Sequence, residues 1–118
     1  MVMNDSTESI QSSIESSRVG QVRLNRMSRV ASVGNREIAL TSAEFEVLDY
    51  LANRPGEVVT RNEMYQRILG KEYDGLDRTI DLRVSRLRRK LNGCGEQTHL
   101  IKSIRSEGYI LTADSNDK

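Results

Sequence analysis

A chain of 118 residues, 36% apolar and 30% charged, suits one small globular unit and holds no apolar run long enough for a membrane-crossing helix. Its single cysteine, Cys94, excludes an internal disulfide framework and fits a reducing, cytoplasmic setting. The net charge of +1 speaks against a polyanion ligand only as an average: residues 1–20 set Asp5, Glu8 and Glu15 against Arg18 (net −2), while residues 77–91 set Arg78, Arg83, Arg86, Arg88, Arg89 and Lys90 against Asp77 and Asp81 (net +4).

Residues 1–18 are polar, with Ile10 and Ile14 the only core-like side chains after Met3, and residues 1–19 are expected to be a linker or disordered tail. One weak helical turn around those two isoleucines is the alternative. No stretch there has the apolar core of a signal peptide. From Gly20 the pattern becomes β-like. Val22 and Leu24 alternate with polar residues, Val30 to Val33 follows, Gly34-Asn35 is a turn signal, and Arg36 to Leu40 alternates again. This predicts a small antiparallel meander with a polar outer face.

Thr41-Ser42-Ala43-Glu44 reads as a capping box, and Phe45, Leu48, Leu51 and Ala52 recur behind it at helical spacing. Pro55 ends that helix. After a short extended link at Val58-Val59, Thr60-Arg61-Asn62-Glu63 reads as a second capping box, opening a short helix with Met64, Ile68 and Tyr65 turned inward. Gly70 and Gly75 bracket a charged loop, which is expected to be a mobile surface. A third helix is predicted from about Asp77 to Leu91, with Leu76, Ile80, Val84, Leu87 and Leu91 as its apolar stripe and Arg78, Leu82, Ser85, Arg86 and Arg89 opposite. Asn92-Gly93 and Gly95 stop it. Leu100 to Ile104 and Tyr109 to Leu111 form a hairpin around Arg105-Ser106-Glu107-Gly108, and the chain ends in a polar tail at 114–118.

A basic helix is most often a solvated one. Here it follows a short helix and a glycine-bounded turn, and its outer face mixes Arg with Ser and Leu rather than pairing Lys with Glu. That mixture suits a DNA major groove: guanidinium forks match guanine, hydroxyls reach phosphates, and an apolar tip touches a thymine methyl. The hairpin arginine, Arg105, sits on an arm thin enough for a minor groove. Asp81 either reads a base or holds Arg78 or Arg88 at helical spacing, and the two roles are compatible.

These stretches, in order and at family spacing, resemble the effector domains of OmpR/PhoB-type response regulators. The carriers are Leu40-Thr41 with Glu44-Phe45 and Leu48; Gly56-Glu57-Val58-Val59-Thr60-Arg61; Asp77-Arg78-Thr79-Ile80-Asp81; Ser85 to Leu91; and Ile101 to Arg105 with Gly108-Tyr109. The resemblance covers residues 36–111, and Tyr73 to Arg78 looks most like the RstA-type branch. It implies an α+β winged helix-turn-helix over 20–113: an N-terminal four-stranded antiparallel sheet, three helices and a C-terminal hairpin wing. It also implies base reading by Asp81, Leu82 and Arg86, phosphate or groove contacts from Arg78, Thr79, Arg83, Ser85, Arg89, Ser103 and Tyr109, and minor-groove entry by Arg105. Tyr109 has wing support as its alternative role. The loop carrying Lys71, Glu72, Tyr73 and Asp74 would face RNA polymerase.

Partners implied are double-stranded promoter DNA with direct repeats, RNA polymerase, and a receiver domain and sensor kinase in a longer protein, the domain being a monomer that pairs on DNA. Two departures from the family are Ser106, where glycine is frequent, and Ser85, where a basic residue is frequent. No phosphate-binding glycine loop, Ser-His-Asp set or metal-ligand cluster is present, so no enzyme activity, cofactor or metal is expected. Cys94 and His99 are read as turn and surface residues. The alternative function is a winged-helix protein-interaction module whose basic face meets an acidic partner.

Overall fold

Alternation of apolar and polar residues sets the first layer. In the structure, a computed structural model describing residues 16–92 and 100–112, four antiparallel strands pair in chain order: β1 (Ser16–Val19), β2 (Val22–Asn25), β3 (Val30–Val33) and β4 (Arg36–Ile38). Val22 faces Val33, and Leu24 faces Ala31, which in turn faces Ile38, so one sheet face is apolar and buried. Gly34 turns β3 into β4 at φ +63, and its N–H closes onto the Gln21 carbonyl at 2.8 Å. Arg26 ties this sheet to the first helix, donating to Asp49 at 2.8 Å and Asn53 at 2.9 Å.

The first strand corrects the expected linker. Residues 16–19 pair with β2 and bury Val19 against Val22. Ser-Ser-Arg-Val carries one apolar residue, so only a partner strand makes it a strand. Residues 1–15 and 113–118, where the linker helical turn and the C-terminal tail were expected, lie outside the described residues, as do Cys94 and His99.

The first capping box forms as expected and opens helix α1 (Ser42–Ala52): the Glu44 N–H donates to Thr41 Oγ1 at 3.1 Å, and the Thr41 N–H donates to Glu44 Oε1 at 3.0 Å. Phe45, Val47, Leu48, Leu51 and Ala52 are buried. Strand β5 (Val59–Thr60) leads into α2 (Arg61–Met64), which continues as a π-helical turn over Tyr65–Leu69. The second capping box is only half made. Thr60 Oγ1 accepts from the Glu63 N–H, but the Glu63 carboxylate turns to the Tyr50 hydroxyl and to Arg54 at 2.8 Å. A charge-assisted partner across α1 outcompetes the return bond to the backbone.

Helix α3 (Thr79–Asn92) buries Ile80, Val84, Leu87 and Leu91. Each such side chain contributes about 1.5–3 kcal/mol through burial. Leu76, expected in this stripe, is 80% exposed. The helix starts at Thr79 because Asp77 Oδ1 takes the Thr79 N–H at 2.7 Å. Just before it, Asp74 Oδ1 takes the N–H groups of Leu76 and Asp77 in a turn, which leaves Leu76 outside the helix. Strands β6 (Ile101–Ile104) and β7 (Gly108–Leu111) form the hairpin, and β7 also pairs with β5, giving the order β5-β7-β6. Glycine is required at 108: a Cβ there would stand 2.0 Å from the Val59 carbonyl oxygen.

Candidate nucleic-acid interface

Helical spacing puts Arg78, Leu82, Ser85, Arg86 and Arg89 on one side of α3, and all five are exposed. Leu82 is half open to solvent although its neighbours Ile80 and Val84 are fully buried. Thr79 and Arg83 flank this face and are half-buried. Between it and the start of α1 lies an open cleft of about 350 Å³ lined by Thr41, Ala43, Glu44, Thr79, Leu82, Arg83 and Arg86.

The same helix is anchored at its flank by a contact the sequence did not reveal. Lys90 Nζ lies 2.7 Å from Glu44 Oε1, and Glu44 is 4% exposed. Burial works to raise the Glu44 pKa. The Lys90 ammonium and the Thr41 donors outweigh that and hold the carboxyl below the usual glutamate range. In sequence Glu44 carries only a capping signal and Lys90 only a flanking charge; their meeting is a fact of the α1–α3 packing.

The hairpin presents Arg105, Ser106 and Glu107 to solvent, and Ser106 sits at φ +62. That is a left-handed conformation for a residue with a side chain. Ser103, expected to touch a phosphate, is exposed but accepts from Arg88 Nη2 at 2.8 Å. Arg88 is half-buried, and its Nε is buried without a hydrogen-bond partner among the described residues.

Tyr109 and Asp81 turn away from the outer face. Tyr109 is 4% exposed, and its hydroxyl donates to Asp81 Oδ1. Arg61 Nε donates to the same carboxylate oxygen at 3.0 Å, and Arg61 Nη2 reaches the Tyr109 hydroxyl at 3.3 Å. Arg78 stands 3.5 Å from Asp81 Oδ2. The guanidinium of Arg61 lies 5.0 Å from the Tyr109 ring centre, and that of Arg88 lies 5.9 Å from it. Burial would raise the Asp81 pKa, yet the Tyr109 and Arg61 hydrogen bonds bring it below the usual carboxylate range. Burial and the adjacent Asp81 push the Tyr109 phenol up. Of the two roles open to Asp81 in the sequence, the structure displays the ion pair with Arg78. It adds Arg61, and it gives Arg88 to Ser103 instead.

The loop between α2 and α3 is more organised than its glycine brackets suggest. Lys71, Glu72 and Asp74 are exposed, but Tyr73 is half-buried, its ring 4.6 Å from that of Tyr65, and its N–H donates to Asn62 Oδ1. Lys71 pairs with Asp77 at 2.9 Å. Hydrogen bonds from Thr79, then from Lys71, hold the Asp77 carboxyl far below the usual aspartate range. Tyr65, buried beneath, donates to the Asp77 carbonyl at 2.7 Å. Among the described residues no cluster of His, Cys, Asp and Glu suits a metal, and no helix is long and apolar enough to cross a membrane.

Residues 35–111 match the family described as "Transcriptional regulatory protein, C terminal". The chain is 37% identical over 92 residues to the transcriptional regulatory protein RstA of Escherichia coli (strain K12), covering 78% of this chain and 38% of that protein. Among solved structures, the Klebsiella pneumoniae RstA DNA-binding domain in complex with RstA box superimposes with a TM-score of 0.76 at 30% identity, covering 85% of this chain and 99% of that one. The DNA-binding domain of CpxR from E. coli superimposes with a TM-score of 0.73 at 34% identity, covering 83% and 96%. The chain spans about two fifths of the length of the curated relatives it matches.

Proposed function

The chain belongs to the family of C-terminal domains of OmpR/PhoB-type transcriptional regulatory proteins, not to a family of enzymes, and on that premise we propose that it binds double-stranded DNA in a sequence-specific manner as the effector domain of a two-component response regulator. The observation that carries this reading is the exposed Arg78–Leu82–Ser85–Arg86–Arg89 face on a helix whose other side is locked into the core. Leu82 and Arg86 read bases in the major groove, Arg86 through two hydrogen bonds to one guanine edge. Arg78, Thr79, Arg83, Ser85, Arg89 and Ser103 meet phosphates or groove edges, and Arg105 enters the adjacent minor groove.

The loop at Lys71 to Asp74 faces RNA polymerase. The folded domain runs from β1 to about residue 113, behind a linker to a receiver domain in a longer, cytoplasmic protein that a sensor kinase phosphorylates. The domain is a monomer alone and pairs on direct repeats about one helical turn apart.

The test is a salt titration on a duplex enriched by the chain itself from random-sequence DNA. Neutralising ~5 phosphates gives a log–log slope near −4 to −5. Arg86→Ala then costs ~1–3 kcal/mol, concentrated at one base pair. A shallow salt slope with no enriched sequence would favour an acidic protein partner for the same face.

A further inference from the structure

We propose that Asp81 and Tyr109, joined through Arg61, are positioning residues that fix the wing against the recognition helix, so that minor-groove contact by Arg105 depends on them. This rests on the DNA-binding reading of α3 and the wing.

Arg61 is the hub. Its backbone N–H donates to the Glu107 carbonyl at the wing root at 3.2 Å. Its side chain donates to Tyr109 on β7 and to Asp81 in the first turn of α3. The Tyr109 hydroxyl closes the triangle by donating to Asp81. A second tie lies further along the helix, where Arg88 donates to Ser103 on β6. Residues 81 and 88 stand seven apart, two turns or about 10 Å along α3. One tie would let a two-stranded arm pivot, whereas two ties separated along the helix fix its angle. The arm's tip, Arg105, carries no apolar anchor and is exposed, so its location follows from the root.

The chemistry of Asp81 favours this role over base reading. Asp81 Oδ1 already accepts from Arg61 and Tyr109, and Arg78 stands 3.5 Å from Oδ2, so a cytosine amino group would have to compete with Arg78 for that oxygen or displace the donors on the other. The Asp81 side chain is 18% exposed and that of Arg61 22%, so displacing Arg61 would leave its charge half-buried and unpaired. The carboxylate instead balances the half-buried Arg61 and leaves the outer face to Leu82 and Arg86.

The experiment is a double-mutant cycle on the selected duplex. Tyr109→Phe keeps the ring and its stacking and removes only the hydroxyl. Arg105→Ala, which lowers wild-type affinity, is expected to cost at least about 3-fold less in the Tyr109→Phe background, because an unpinned wing no longer delivers its arginine. The corresponding cycle with Arg86→Ala is expected to be additive within about 2-fold. Purely structural weakening would make both cycles additive. If Tyr109→Phe does not fold, Asp81→Asn with Arg105→Ala carries the same test. An additive Arg105 cycle overturns the proposal, as does an Asp81→Asn loss confined to one base pair. A wild-type chain that enriches no sequence removes the DNA-binding reading itself, a result separate from either.

Discussion

Replacing Lys90 with methionine keeps the aliphatic stem and deletes the ammonium that lies 2.7 Å from Glu44. Breaking a fully buried pair costs ~3–5 kcal/mol because the surviving charge stays buried. Two features lower that here. Lys90 is 38% exposed, which admits water, and Glu44 keeps the Thr41 N–H as a donor. A loss of about 1–2 kcal/mol remains, or roughly 5–15 °C in Tm for a domain of this size. The pH dependence has a definite sign. The folded Glu44 pKa lies below its ordinary value of 4.5, so the pair's stabilisation is complete above that value and disappears as pH falls through the folded value. Thermal melts of wild type and Lys90→Met followed by circular dichroism should therefore differ most near about pH 7 and converge toward about pH 3. An equal Tm gap at both pH values would refute the assignment of the stability to the ion pair, and no gap at either would show that α1 and α3 are held by apolar packing alone.

Other changes probe the wing and the loop. Gly108→Ala forces a Cβ to 2.0 Å from the Val59 carbonyl oxygen, which should cost more than about 2 kcal/mol in a denaturant titration. Ser106→Gly relieves a side chain held at φ +62 and should leave stability equal or raise it by up to about 1 kcal/mol, read from the same titration. Replacing Lys71 and Glu72 together by alanine should leave DNA affinity within about 3-fold in a gel-shift titration, since surface charges outside the contact face contribute little; in-vitro transcription with the full-length regulator should fall.

What the sequence discloses well are features set by near neighbours. The Thr41 capping box, the Gly34 turn and the buried stripe Ile80, Val84, Leu87 and Leu91 all depend on residues within a few positions, and the structure has them. The apolar period places Leu82, Ser85 and Arg86 outside because Ile80, Val84, Leu87 and Leu91 go inside. Strand β1 was not legible: its support is the backbone of β2, and hydrogen bonding to a neighbouring strand leaves no side-chain signature in Ser16-Ser17-Arg18-Val19. Leu76 fits the helical period by number, but Asp77 captures the chain first and starts the helix two residues later.

Charged residues are where sequence reading runs out, for a physical reason. Apolar burial depends on area and has no fixed direction, so its period alone assigns a face. An ion pair depends on where two side chains end, and those ends are set by elements far apart in the chain. Asp81 finds Arg61 and Tyr109, twenty residues back and twenty-eight ahead, and Lys90 finds Glu44 forty-six residues back. On α3 the same arginine type therefore serves two ends. Arg86 stays exposed, while Arg88, two residues on, is turned under the wing toward Ser103. Composition counts both as basic surface, but of the two only Arg86 is exposed. The local +4 of residues 77–91 therefore does not say which cations stay exposed: Lys90 is paired with Glu44, while Asp77 and Asp81 are paired with Lys71 and Arg61 from outside the segment.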